Sequence, residues 1–159
     1  MALAKGTNSY GTVAEADSYF EDRLDRAAWT NADDDQKAQA LVTATSTLDD
    51  MSWTGVAVSE SQYLAFPRSG SYFDPRIGTE VTLDESEVPT RIVNATFEMA
   101  YHYLNNDGLL DNVGSVTDIE VGRITLKNIV KPSSMPSHIQ KHITPLLVNG
   151  ASNTWWRAW

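Results

Sequence analysis

The 159 residues include no cysteine. That absence excludes a disulfide framework, a thiol nucleophile and a Cys-type zinc site, and it suits a reducing cytoplasm. Long apolar runs are missing too. The opening Met1-Ala2-Leu3-Ala4-Lys5-Gly6-Thr7 lacks the apolar stretch of a signal peptide, and no run approaches membrane-spanning length. Positive charge is scarce: 12 Lys and Arg stand against 21 Asp and Glu, a formal net charge of −9. The acids are unevenly placed. All 21 fall in residues 1–120 against seven bases, which makes −14 there; residues 121–159 carry Arg123, Lys127, Lys131, Lys141 and Arg157 and no acid, which makes +5. The chain as a whole repels phosphate, and its few bases are too spread out for the basic stripe of a nucleic-acid binder. Only the C-terminal quarter could meet an acidic partner.

Catalytic patterns are equally sparse. There is no nucleophile elbow, phosphate loop or dinucleotide fingerprint, and Gly6 and Gly11 are too isolated to cradle phosphate. His138 and His142 are four apart, but Ile139 stands where a zinc-protease helix needs Glu, and His102 is the only other histidine. They read as two surface histidines. Asp33-Asp34-Asp35 and Asp84-Glu85-Ser86-Glu87 precede predicted helices and read as solvated caps, since neither has the layout of a calcium loop. Tyr101-His102-Tyr103 reads as amphipathic packing. No enzyme, cofactor or metal site is expected.

What is present is mainly helical. Thr12 and Glu15 form a capping box, and Val13, Ala16, Phe20, Leu24 and Ala27 keep a helical period, so a first helix is predicted over about 13–26 with Trp29 in the turn after it. Thr30 and Asp33 repeat the capping signature ahead of a helix to about Leu48, with Ala38, Leu41, Ala44, Thr45, Leu48 and Met51 inside. Between residues 52 and 88 regular patterning stops among glycines, prolines and scattered aromatics. Pro89 then suits the first turn of a core helix through Ile92, Ala95, Met99, Ala100, Tyr103 and Leu104 to Asn105. Alternation over 116–130 predicts a strand or hairpin. A short last helix through Ile139, Ile143 and Leu147 should be kinked or ended early by Pro145.

Residues 149–159 stand apart. Asn149-Gly150-Ala151-Ser152-Asn153-Thr154 is polar and patternless, and Trp155, Trp156 and Trp159 are three of the chain's five tryptophans. Trp buries a large apolar area and is a leading interface residue. The segment reads as a docking arm on a helical domain of residues 1–148. The alternative is a tail folded back over its own domain.

Four pieces in order resemble the small head–tail adaptor (connector, or head-completion) proteins of tailed bacteriophages, and more narrowly the phage proteins labelled DnaT-like. They are Ser9-Tyr10-Gly11-Thr12 through Phe20, Lys37 through Thr45 leading to Trp53-Thr54-Gly55, the turn Ala65-Phe66-Pro67-Arg68-Ser69-Gly70, and Val88-Pro89 opening the helix with Ala95 and Glu98. The resemblance spans about residues 9–130. It implies a small bundle of about four helices with a β-hairpin or extended-loop insertion, and an extended C-terminal arm. The implied function is structural: a roughly twelve-fold ring of copies of itself in the virion, joining the portal protein to tail or nozzle proteins, assembled in the host cytoplasm. Duplex DNA would pass through without specific binding, no membrane would be involved, and ring avidity would tighten each weak contact. On that reading Trp155, Trp156, Arg157 and Trp159 dock the portal, while Phe66, Pro67 and Arg68 lock a turn or touch the next subunit. The DnaT-like label carries a rival function, a single-stranded-DNA-binding replication accessory protein, for which only the basic C-terminal quarter could serve.

Overall fold

Reciprocal side-chain caps set the starts of two helices in the computed structural model, which describes residues 2–105 and 135–148 in full and the backbone of 118–121 and 124–127. Helix α1 (Val13–Glu21) begins where Glu15 N donates to Thr12 Oγ1 at 3.2 Å and Thr12 N donates to Glu15 Oε2 at 2.8 Å. It ends at Glu21 rather than near 26, because the Arg26 guanidinium donates to the carbonyls of Phe20 and Glu21 and closes the last turn. Leu24, expected on the apolar face, is fully exposed. Trp29 is not in a turn: it lies in a short helix α2 (Ala27–Asn31), buried, with its indole N–H donating to Asp17 at 2.8 Å.

Helix α3 (Asp34–Asp49) is capped by Asp33 with Gln36, not by Thr30, and Asp34 and Asp35 sit at the positive end of its dipole. Ala40, Leu41, Ala44, Thr45 and Leu48 form its buried face. Helix α4 (Thr90–Asn105) follows Pro89 and is the most buried element, packed on α3 and on α5 (Ser137–Ile143). Pro145 ends α5 two residues earlier, and the chain continues as one 3-10 turn, Thr144–Leu146.

The 52–88 stretch holds two antiparallel ladders that no sequence period announces. β1 (Val56–Ala57) pairs with β2 (Arg68–Ser69), and β3 (Ser71–Asp74) pairs with β4 (Thr79–Thr82). Strands of two to four residues are too short for an alternation to register. A third hairpin, β5 (Asp118–Val121) with β6 (Ile124–Lys127), lies where the alternation predicted one. The architecture is mainly α with small β insertions, as expected from the sequence, although the insertions are more than one.

The core joins Leu41 and Leu48 of α3, Ile92 and Met99 of α4, Ile139 of α5, Leu146 and the N-terminal Tyr10, all with essentially no exposed surface. Each such aliphatic side chain contributes about 1.5–3 kcal/mol on leaving water. The C-terminal end is stitched to the chain after α3: Thr54 N donates to Leu146 O, Val148 N donates to Ser52 O, and Trp53 and Leu147 form an antiparallel bridge. No helix among the described residues is long and apolar enough to cross a membrane.

Candidate functional site

A surface that grips a nucleic acid needs cations that are not already taken. In residues 1–120 every base is engaged. Lys5 pairs with Glu15, Arg23 with Glu98 and Lys37 with Asp17, and Arg26 caps α1. Arg76 and Arg91 converge on Asp74, and Arg68 faces backbone carbonyls. Lys141, by contrast, is exposed and has no ion pair among the described residues. With Arg123, Lys127, Lys131 and Arg157 it makes up the acid-free C-terminal quarter.

Three carboxylates organise the body. Asp74 is buried at the end of β3, receives Arg76 through both oxygens and Arg91 at 2.7 Å, and these guanidiniums hold its carboxyl far below the usual range. Arg91 Nε is buried with no hydrogen-bond partner among the described residues. Glu98 faces inward from α4 and gathers the Tyr19 hydroxyl at 2.7 Å, Arg23, and His138 Nε2 at 3.6 Å. Burial first, then Glu98, pushes the Tyr19 phenol far up. Burial alone would raise the Asp17 carboxyl, but Lys37 and the Trp29 N–H outweigh it and hold it down. None of these roles was read from the sequence. Glu98 left a signal, a carboxylate three residues after Ala95 and one before Met99 on the packed side of a periodic helix. Asp74 left none.

Phe66, Pro67 and Arg68 form a turn with a cis Phe66–Pro67 peptide. Phe66 is buried edge-on against Trp53 and Tyr10. The Arg68 guanidinium donates to the carbonyls of Thr54 at 2.8 Å, Gly55 at 2.6 Å, Ala65 at 3.2 Å and Trp53 at 3.4 Å. Tyr10 N donates to Thr45 Oγ1, while the Tyr10 hydroxyl and the Ala65 amide both donate to Asp49. The residues that carry the family resemblance are therefore one packed unit.

The two histidines of α5 differ. His138 is exposed beside Glu98; His142 is half-buried, and burial lowers its imidazole below the usual value, so it is not the surface group expected. Asp84 accepts from Ser86 N and Oγ in a local turn, and α4 does not start until Thr90, so this cluster does not cap a helix. Among the described residues no group of three metal-ligating side chains converges.

The described residues form several open clefts, of which three bear on this question. One of ≈ 580 Å³ between α2, α3 and the end of α4 is uncharged, lined by Asn31, Gln36, Gln39, Thr43 and Tyr103 among others. One of ≈ 260 Å³ contains Arg76 and Arg91, but Asp84 and Glu87 face it as well. The third, ≈ 280 Å³, lies between β3–β4 and the 3-10 turn, and among the described residues Glu80 is its one charged lining residue. None presents converging free cations to phosphate.

Trp155, Trp156, Arg157 and Trp159 lie outside the described residues, as does the whole proposed arm, 149–159. The model of a family described as "Putative DnaT-like ssDNA binding protein" matches residues 2–157, so the match takes in these positions except the last two residues. No curated protein and no solved structure matches the chain. The match overturns the expected head–tail adaptor. Portal and tail partners, a ring in the virion and a conduit for duplex DNA find no support, and the family's description names single-stranded DNA instead. The four stretches that carry the resemblance fit the DnaT-like label, and the adaptor role attached to them has no counterpart in the family's description. The chain belongs to the DnaT-like single-stranded-DNA-binding family.

Proposed function

We propose that this protein binds single-stranded DNA and does so through residues 121–159. The observation that carries the reading is the family match, which extends to residue 157 and includes that quarter. The charge distribution supports the location. The seven bases of residues 1–120 are engaged by carboxylates or carbonyls, and five bases without a single acid remain beyond. Trp155, Trp156 and Trp159 supply flat faces for unpaired bases, each stack contributing about 1–3 kcal/mol, and a stacked base has to be out of a duplex. The anionic body repels phosphate elsewhere and confines the strand to this strip.

An anisotropy titration with a labelled oligo-dT at about 50 and 200 mM salt tests this directly. The expected result is binding that weakens with salt and exceeds binding to a duplex of equal length. Absence of binding at the lower salt, or equal affinity for the duplex, contradicts it.

A further inference from the structure

The groove beside Val148 has an apolar rim that no described residue covers. In the β3–β4 pair Phe73 stands opposite Glu80 and Ser71 opposite Thr82, which places these four side chains on one face of the hairpin. That face is open: Phe73 is 50% exposed, and Ser71 donates to Glu80 at the surface. Across the groove stand Pro145, Leu147 and Val148, the last 59% exposed. Phe73 and Val148 thus offer an apolar surface at the point where residues 149–159 leave the described fold.

That segment has the features to cover it. Asn149-Gly150 is the dipeptide that most favours a two-residue reversal. A reversal there would direct the following residues back along Thr144–Val148, which is one wall of the groove. Trp155 is five residues beyond Gly150, a span of about 17 Å when extended. One indole has about 150–250 Å² of surface to remove from water. Arg157 and the acid-free quarter to which it belongs complement Glu80 and the −14 of residues 1–120.

We infer that residues 149–159 of this same chain pack into this groove, with an indole of the Trp155-Trp156 pair against Phe73 and Arg157 paired with Glu80. Its consequence rests on the single-stranded-DNA reading above. The docked segment withholds that indole and Arg157, and DNA has to compete with the anionic body for them.

The test uses the full chain, its F73S variant and its E80Q variant, with two readouts. Phe73 is half exposed on a hairpin face, and E80Q removes a charge without changing shape, so the second variant keeps the test sound if the first unfolds. Acrylamide quenching reports the C-terminal indoles, since Trp29 and Trp53 are 2% and 4% exposed. Docking predicts that both variants raise quenching, from two accessible C-terminal indoles to three, and bind oligo-dT more tightly than the wild type. Equal quenching in all three chains overturns docking, whatever the oligonucleotide does. A shielded indole released by the variants, with no oligo-dT binding by any chain, upholds docking and overturns the DNA reading. Shielding that vanishes on dilution together with a dimer mass assigns the groove to a second copy and overturns docking within one chain.

Discussion

The Tyr19 hydroxyl donates to Glu98 Oε1 across 2.7 Å, joining α1 to the inward face of α4. Glu98 is 7% exposed, and this donor, Arg23 and His138 are its polar neighbours. Y19F removes this bond and the one that Arg23 donates to the Tyr19 hydroxyl, and leaves the ring's packing against Phe20 and Phe97 in place. The expected cost is about 1.5–3 kcal/mol in urea unfolding. A loss under about 0.5 kcal/mol shows that Arg23 and His138 satisfy Glu98 without it.

Arg68 answers four carbonyls at once, and a planar fork is what makes this feasible. R68A should lower unfolding stability by about 3 kcal/mol. R68K keeps the charge but not the fork, and should recover less than half of the loss. Full recovery by lysine means that charge, not geometry, holds the turn.

Gly55 and Gly78 both have positive φ, 73° and 70°, but their surroundings differ. A Cβ at Gly55 would lie 2.3 Å from Ser69 O, across the β1–β2 ladder, whereas at Gly78 nothing lies within 4 Å. G78A should cost about 1–2 kcal/mol, the left-handed backbone strain alone. G55A should cost clearly more, because backbone has to move. Equal thermal shifts for the two variants contradict this.

Stability should depend on pH through His142. Burial lowers its pKa below the unfolded value, with Arg91, Arg23 and His138 acting in the same direction and Glu98 opposing. The unfolded chain therefore binds the proton first, near pH 6.5. The stabilisation due to neutral His142 is present above that pH and is lost as pH falls through the lowered native value. Denaturant midpoints from pH 7.5 to 5 should fall less steeply for H142Q than for the wild type, and parallel curves contradict the assignment.

Local signals were legible where both partners sit within one turn. Thr12 and Glu15 announced α1, the apolar period after Pro89 announced α4, and Pro145 announced the end of α5. Long-range satisfaction was not legible: Glu98 takes its proton donor from 79 residues away, and Asp74 takes Arg91 from 17 away. Trp29 was placed in a turn because α2 is five residues long, too short to show a period. The proposed function was obscured by a sum. A net charge of −9 hides an acid-free stretch of five bases beside a body of −14, and the total alone does not separate the two.

The most direct measurement is the salt dependence of oligo-dT affinity, for the wild type and for K131A/K141A. Five cations set a ceiling near −3.5 on the slope of log K against log salt, at about 0.7 per neutralised phosphate on a single strand. Removing two bases from the C-terminal quarter should bring the slope closer to zero by about 1.4. A slope unchanged by K131A/K141A, or one steeper than the five bases allow, contradicts binding through residues 121–159.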